Sequence, residues 1–261
     1  MKAPVAFVGA GPGDPELITL KGARLLREAD VVVYAGSLVP EALLQGMKAG
    51  AQALDSAPLD LEATTEALVS GWKRGARVVR LHSGDSAIYG ATAEQTRRLD
   101  ALGVPWEIVP GVSSFQAAAA ALGVELTVPG VSQTVILTRV GGRSTPMPEG
   151  ESLDRLGASR ATLCLFLSAG LAAKIETELI PHYGADCPVA VVVRASWPDQ
   201  EILRCRLDSL AAVLRDAKVT RTAMILVGRA LLKDGVESRL YDRTFSHAFR
   251  RAADAGRRND A

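Results

Sequence analysis

Short apolar runs recur through the first half of the chain, each followed by a stretch with helical spacing. Residues 5–8, 31–34, 77–80 and 106–109 are rich in β-branched side chains and bounded by Gly, Ser or Pro, so they read as buried strands. Residues 19–29, 41–47, 61–74, 91–102 and 116–122 read as helices. In the longest of these Leu61, Ala67, Leu68 and Trp72 fall roughly on one face. Strands alternating with helices predict an α/β fold with a parallel sheet.

The pattern changes near Gly123, where Val124 to Val128 leads into Pro129-Gly130 with no long helix after it. A domain boundary is expected there: an α/β domain over 1–122, a second over 123–235, and a tail over 236–261. In the second part, residues 133–139, 162–167, 188–193, 201–206 and 222–227 read as strands and 171–179 and 207–214 as helices. Pro146 and Pro148 flank a polar loop, and residues 257–261 are expected to fray.

Four strands of the first part end in small-residue turns: Gly9 to Pro15, Gly36-Ser37, Ser83 to Asp85 and Pro110 to Ser114. One such turn is structural by default, since Gly, Ser, Asp and Pro favour turns. In one parallel sheet all four would converge on the edge where open α/β sheets bind ligands. The central stretch is Leu81 to Gly90, where a Gly-Asp pair sits between a strand and a helix.

Composition narrows the partners. The chain has 261 residues, 48% of them hydrophobic, and a formal net charge of +1. That allows one large domain or two small ones. The near-zero charge argues against nucleic acid, as does an aromatic content of only 5%. Cys164, Cys187 and Cys205 have no metal-site spacing and are expected to be reduced thiols of a cytoplasmic protein. Met1-Lys2-Ala3-Pro4 runs straight into a strand, so no signal peptide is expected. No apolar run approaches the ~20 residues of a membrane span, so no membrane partner is expected.

The available chemistry is limited as well. Gly9-Ala10-Gly11-Pro12-Gly13-Asp14 suggests a dinucleotide fingerprint, but Asp14 stands where the third glycine belongs and Pro12 interrupts, which disfavours a nicotinamide site. The three histidines, His82, His182 and His247, support neither a catalytic triad nor a metal site, and there is no phosphate loop. What remains is backbone, hydroxyls, one aspartate and apolar walls, which suits a bulky neutral or cationic cofactor. Methyl transfer from a sulfonium donor fits, because the donor is already activated and the protein must chiefly align two reactants.

Val8 to Pro15 with Leu20-Lys21-Gly22, Ser83 to Gly90, and Pro110 to Ser114 resemble the three signatures of the tetrapyrrole (cobalamin and siroheme) methyltransferases. Tyr34 to Val39, Arg194 to Asp199 and Leu240 to His247 narrow the resemblance to the branch acting on C-11 of precorrin-4 in cobalamin synthesis. The resemblance implies a two-domain class III methyltransferase fold with the cofactor in the trough between domains, and a homodimer. It implies S-adenosyl-L-methionine as cofactor, S-adenosyl-L-homocysteine as product and a tetrapyrrole as substrate. By motif, Pro12, Ser83, Gly84, Asp85, Ile88, Tyr89, Ser113 and Ser114 would contact the cofactor, joined by Leu167, Ala195, Ser196, Thr222, Ala223 and Met224. The family often has proline after Gly-Asp; this chain has Ser86, which frees φ and restores an N–H without, we expect, losing the loop. Such substrates carry many carboxylates, so His82, Arg139, Arg143, Arg194 and Arg221, at or beside strand ends, are candidate contacts. Asp85 is the candidate general base, with a structural or cofactor-holding role as its alternative. Open alternatives for the activity are another ring carbon, the cobalt-containing precursor, and a non-catalytic tetrapyrrole carrier.

Overall fold

The computed structural model describes residues 2–36, 38–142, 146–232, 234–238 and 242–251. Ser37, Arg143 and the Leu240-Tyr241 pair lie outside the described residues, as does the segment 257–261. The chain forms two compact units. The first comprises Met1–Leu122, Val192–Ile202 and Thr222–Met224; the second holds Gly123–Val191, Leu203–Arg221 and Ile225–Ala261.

The first unit runs β1 (Val5–Gly9), α1 (Leu20–Glu28), β2 (Val31–Tyr34), α2 (Glu41–Gln45), β3 (Gln52–Asp55), α3 (Leu61–Lys73), β4 (Val78–His82), α4 (Thr92–Ala101), β5 (Trp106–Val109) and α5 (Ser114–Leu122). The sheet order is β3-β2-β4-β1-β5, and each neighbouring pair is parallel. Side chains alternate across a strand, so each face receives every second residue. On one face Val5, Phe7, Val31, Val33 and Val78 pack with Leu68, Val69 and Leu99 of α3 and α4. On the other, Ala6, Val8, Val32, Val79 and Leu81 pack with Leu26 of α1 and Leu43 of α2. Phe7 is fully buried, and truncating such a side chain to alanine costs about 3–5 kcal/mol.

Local chemistry sets the helix starts. The Thr19 hydroxyl accepts the Gly22 N–H at 3.1 Å to open α1, and Asp60 accepts the Ala63 N–H at 2.7 Å to open α3. Bounds shift by two residues at the end of α2 and the start of α5, and two strands also depart from expectation. The strand β3 was not foreseen: Gln52-Ala53-Leu54-Asp55 has no β-branched residue and lies at the exposed sheet edge. Strand β4 runs on to His82, two residues past its expected end, so His82 is part of the sheet.

In the second sheet the order is β6-β7-β10-β8-β9. Its elements are β6 (Val135–Arg139), α6 (Leu153–Gly157), β7 (Thr162–Phe166), α7 (Ala172–Tyr183), β8 (Pro188–Val193), β9 (Glu201–Arg206), α8 (Leu210–Asp216) and β10 (Ala223–Val227). Strands β6 and β7 are parallel and β10 is antiparallel to β7, so this sheet is mixed. Helix α6 lies beyond the loop at Pro146 and Pro148, in a stretch where no element was expected; Ser152 caps it by accepting the Arg155 N–H. Among the described residues no helix is long and apolar enough to cross a membrane, and no cluster of three His, Cys, Asp or Glu could hold a metal.

Candidate functional site

Because β1, β4 and β5 are parallel neighbours, the loops that follow them leave the same edge of the first sheet. There they touch backbone to backbone. Gly11 and Gly84 form a two-way bridge, Gly84 N–H to Gly11 O at 2.7 Å and Gly11 N–H to Gly84 O at 3.2 Å. A Cβ on Gly9 would lie 2.7 Å from the Gly111 Cα and from the Gly84 carbonyl oxygen; one on Gly111 would lie 2.3 Å from that same oxygen. Three signature loops thus meet where no side chain fits. Gly84 itself differs: φ is +61°, and an added Cβ would make only ordinary van der Waals contact, 3.8–3.9 Å from the backbone of Val112 to Ser114.

Asp85 ties this junction together. Its Oδ2 accepts the Gly111 N–H at 2.7 Å and its Oδ1 accepts the Ala87 N–H at 2.8 Å. At the start of α5, Gln116 accepts the Ser113 N–H at 2.9 Å. Ser86 is buried and its carbonyl accepts the Thr92 hydroxyl, so the loop forms without the proline. Ile88 is half-buried and Tyr89 exposed.

The first glycine-rich loop is braced from far along the chain. The Asp14 N–H donates to the Ser196 hydroxyl at 2.9 Å, and the Trp197 indole N–H donates to the Pro12 carbonyl at 2.9 Å. The indole fills the space beside Gly13, where a Cβ would lie 2.1 Å from the Trp197 Cδ1. Asp14 caps only a short 3₁₀ turn, Pro15–Leu17, and α1 begins later at Leu20; the glycine loop does not open a long helix as a dinucleotide fingerprint requires. The Arg194 N–H donates to the Thr222 carbonyl at 2.8 Å, which joins the start of β10 to this group.

Backbone strain converges on the same positions. Among the described residues eight non-glycine residues have positive φ, and five are candidate site positions: Tyr89 (54°), Leu167 (53°), Arg194 (48°), Ser196 (67°) and Thr222 (53°). Each costs about 1–2 kcal/mol, and such strain gathers at functional sites.

The first unit holds Pro12, Ser83, Gly84, Asp85, Ile88, Tyr89, Ser113, Ser114, Ala195, Ser196, Thr222, Ala223 and Met224, and hydrogen bonds join Gly84 to Gly11, Asp85 to Gly111, Ser196 to Asp14 and Thr222 to Arg194. Leu167 belongs to the second unit, at the end of β7, with 74% of its surface exposed. Arg139 ends β6 in that unit, its guanidinium donating to the carbonyls of Val140 and Pro146; Arg221 is exposed there. Sequence reasoning did not single out Gly9, Gly111, Gln116 or the side chain of Trp197. The first two were visible as signature glycines; the Trp197 contact with Pro12 spans 185 residues and leaves no local trace.

His82 takes a different place from the one expected of a carboxylate contact. It is buried, its ring stacks on Phe7 with centroids 5.9 Å apart, and its Nε2 has no partner among the described residues. Burial, then the nearby Arg80 charge, push its pKa down to about 3, so the imidazole is neutral near pH 7 and offers no charge. Arg80 is buried on the same strand, bonding Gln95 at 3.0 Å and the Val33 carbonyl at 3.2 Å.

The comparisons with known proteins follow this geometry. The profile of the tetrapyrrole (corrin/porphyrin) methylases matches residues 4–211. The chain is 55% identical over 247 residues to the precorrin-4 C(11)-methyltransferase of Pseudomonas aeruginosa, covering 94% of this chain and 98% of that one. It is similar to a solved cobalt precorrin-4 methyltransferase, with a TM-score of 0.85 and 47% identity, covering 87% of this chain and 95% of the other. The uroporphyrin-III C-methyl transferase of Thermus thermophilus, solved with S-adenosyl homocysteine, superimposes with a TM-score of 0.73 at 31% identity, covering 90% and 96% of the two chains. With its signature glycines meeting at one sheet edge and a profile match over most of its length, the chain belongs to the tetrapyrrole (corrin/porphyrin) methylase family.

Proposed function

We propose that this chain transfers a methyl group from S-adenosylmethionine to C-11 of precorrin-4, giving precorrin-5 in cobalamin synthesis. The observation that carries the reading is the three-loop junction at Gly9, Gly84 and Gly111, where the roomier position of Gly84 faces the backbone of Val112 to Ser114. The choice of C-11 is supported by the 55% identity to the Pseudomonas enzyme.

The residues fit the cofactor. No cationic side chain in the Gly9–Asp14 or Ser83–Gly90 loops would repel a sulfonium, and Gly84 has room for a methyl-sized group beside the backbone of Val112 to Ser114. S-adenosylmethionine, when bound, supplies a methyl group already activated for transfer. The chain's own part is alignment, which can contribute about 7–11 kcal/mol of a barrier. Pro12, Gly84, Ser113 and Ser114 line the donor side, and Ser196 and Thr222, with their chain neighbours Ala195, Ala223 and Met224, are held by the bonds of Ser196 to Asp14 and of Thr222 to Arg194. Asp85 spends both oxygens on backbone N–H groups, so we read it as the residue that positions the junction rather than the base.

The test is turnover with carbon-13-labelled S-adenosylmethionine and precorrin-4 or cobalt-precorrin-4, with the new methyl located by NMR. Label at C-11 supports the reading; label at another carbon, or binding without transfer, overturns it. The cobalt substrate is included because one similar structure is a cobalt precorrin-4 methyltransferase. The family resemblance implies a homodimer and the cysteine usage a cytoplasmic protein; light scattering of the purified chain tests the first of these.

A further inference from the structure

Arg194 is held on three sides within the first unit. Its Nε–H donates to the Asp199 Oδ1 at 2.7 Å, and its guanidinium carbon lies 4.1 Å from the Trp197 ring centroid. Its backbone sits at φ +48°, with its N–H on the Thr222 carbonyl at 2.8 Å. The segment from Arg194 to Gln200 is closed on itself: Trp197 N–H to Arg194 O at 2.9 Å, Gln200 N–H to Trp197 O at 3.0 Å, and Ser196 N–H to the Gln200 side chain at 2.7 Å. The Nη1 and Nη2 groups have no acceptor among the described residues, and the side chain remains 32% exposed. An arginine is normally costly to order because its side chain is long and flexible. Here that cost is met before any ligand arrives, and the edge left over is the one that grips a carboxylate with two parallel hydrogen bonds.

We propose that the Nη1/Nη2 edge of Arg194 is a preorganised receptor for a peripheral carboxylate of the tetrapyrrole, with Trp197 and Asp199 as its positioning residues. This rests on the methyltransferase reading and adds to it. The indole that supports Arg194 is itself anchored to the Pro12 carbonyl in the first signature loop. One side chain therefore fixes both the substrate grip and the donor loop, so the two are held in a constant relation. An ordinary exposed Arg–Asp pair is worth little and has no reason to sit on strained backbone.

The experiment compares the wild type with R194K, D199N and W197F, measuring KM for precorrin-4, kcat, and the calorimetric Kd of S-adenosylhomocysteine. Lysine keeps the charge and loses the fork, so R194K is expected to raise KM roughly ten- to hundredfold with Kd unchanged. D199N raises KM less, also with Kd unchanged. W197F, which loses the donor to Pro12, raises both. An unchanged KM in R194K and D199N overturns the proposal, as does a shift in Kd equal to that in KM, which would mark a merely structural role. If the wild type neither binds S-adenosylhomocysteine nor methylates, the methyltransferase reading fails, and this proposal with it.

Discussion

The Asp85 carboxylate accepts the Gly111 N–H at 2.7 Å through one oxygen and the Ala87 N–H at 2.8 Å through the other. A residue 26 positions away is thereby fixed to the second signature loop. Hydrogen bonds to a charged acceptor contribute about 1.5–3 kcal/mol each. Asp85→Asn keeps one acceptor but points an NH2 group at an N–H. We expect both Asp85→Ala and Asp85→Asn to lose methyl transfer and to weaken S-adenosylhomocysteine binding by roughly tenfold or more. A calorimetric Kd equal to wild type in Asp85→Asn, with only kcat lost, would show that the carboxylate serves as a base instead.

The glycines at the junction separate into two kinds. A methyl group at Gly111 meets the Gly84 oxygen at 2.3 Å, whereas at Gly84 its nearest neighbours lie at 3.8 Å, an ordinary contact. Gly111→Ala should therefore fail to give a stable fold. Gly84→Ala should fold with a loss of about 1–2 kcal/mol from its φ of +61°; on the proposed function it also loses donor affinity, because the second signature loop must shift to relieve that strain. Denaturant melts paired with calorimetry check both; a well-folded Gly111→Ala would refute the packing described for the loops.

His82 predicts an acid-sensitive fold. Its pKa is near 3 in the folded chain, against an ordinary value of 6.5. Between those limits the unfolded chain binds the extra proton, so this contribution to stability is complete above pH 6.5 and is lost as pH falls toward 3. Its slope approaches about 1.4 kcal/mol per pH unit. His82→Leu should flatten the wild-type curve by that amount across the window; parallel curves for the two proteins would contradict the neutral, buried imidazole.

The cysteines should be unreactive in the native state. Burial raises the thiol of Cys164 to about 12 and those of Cys187 and Cys205 to about 11, and the thiolate is the reactive form. A disulfide reagent at pH 8 is expected to label none of the three quickly without denaturant. Rapid labelling of Cys164 would mean that the second sheet opens readily.

Regular elements with strong local signals were legible. Val31–Tyr34, Trp106–Val109, Pro188–Val193 and Glu201–Arg206 occur at the bounds that β-branched runs and flanking turns predict. Edge strand β3 and short helix α6 were not, because exposed positions carry little apolar periodicity. The antiparallel entry of β10 was equally hidden, since strand direction depends on the path between strands and not on the strand itself. At the site, the signature loops were readable because glycine, aspartate and serine there answer to local backbone geometry. The Trp197–Pro12 and Asp14–Ser196 contacts were not: they join residues 185 and 182 apart, and nothing local in either partner encodes the other.

The first unit is assembled from three separate lengths of chain. No single truncation therefore isolates it. A polypeptide stopped at Leu122 lacks the indole beside Gly13 and the hydroxyl that receives the Asp14 N–H. Gene fission between the halves would part the glycine loop from its brace. A chimera that borrows the first unit must carry Val192–Ile202 and Thr222–Met224 as well as Met1–Leu122, so the unit of inheritance here is larger than any one stretch of sequence.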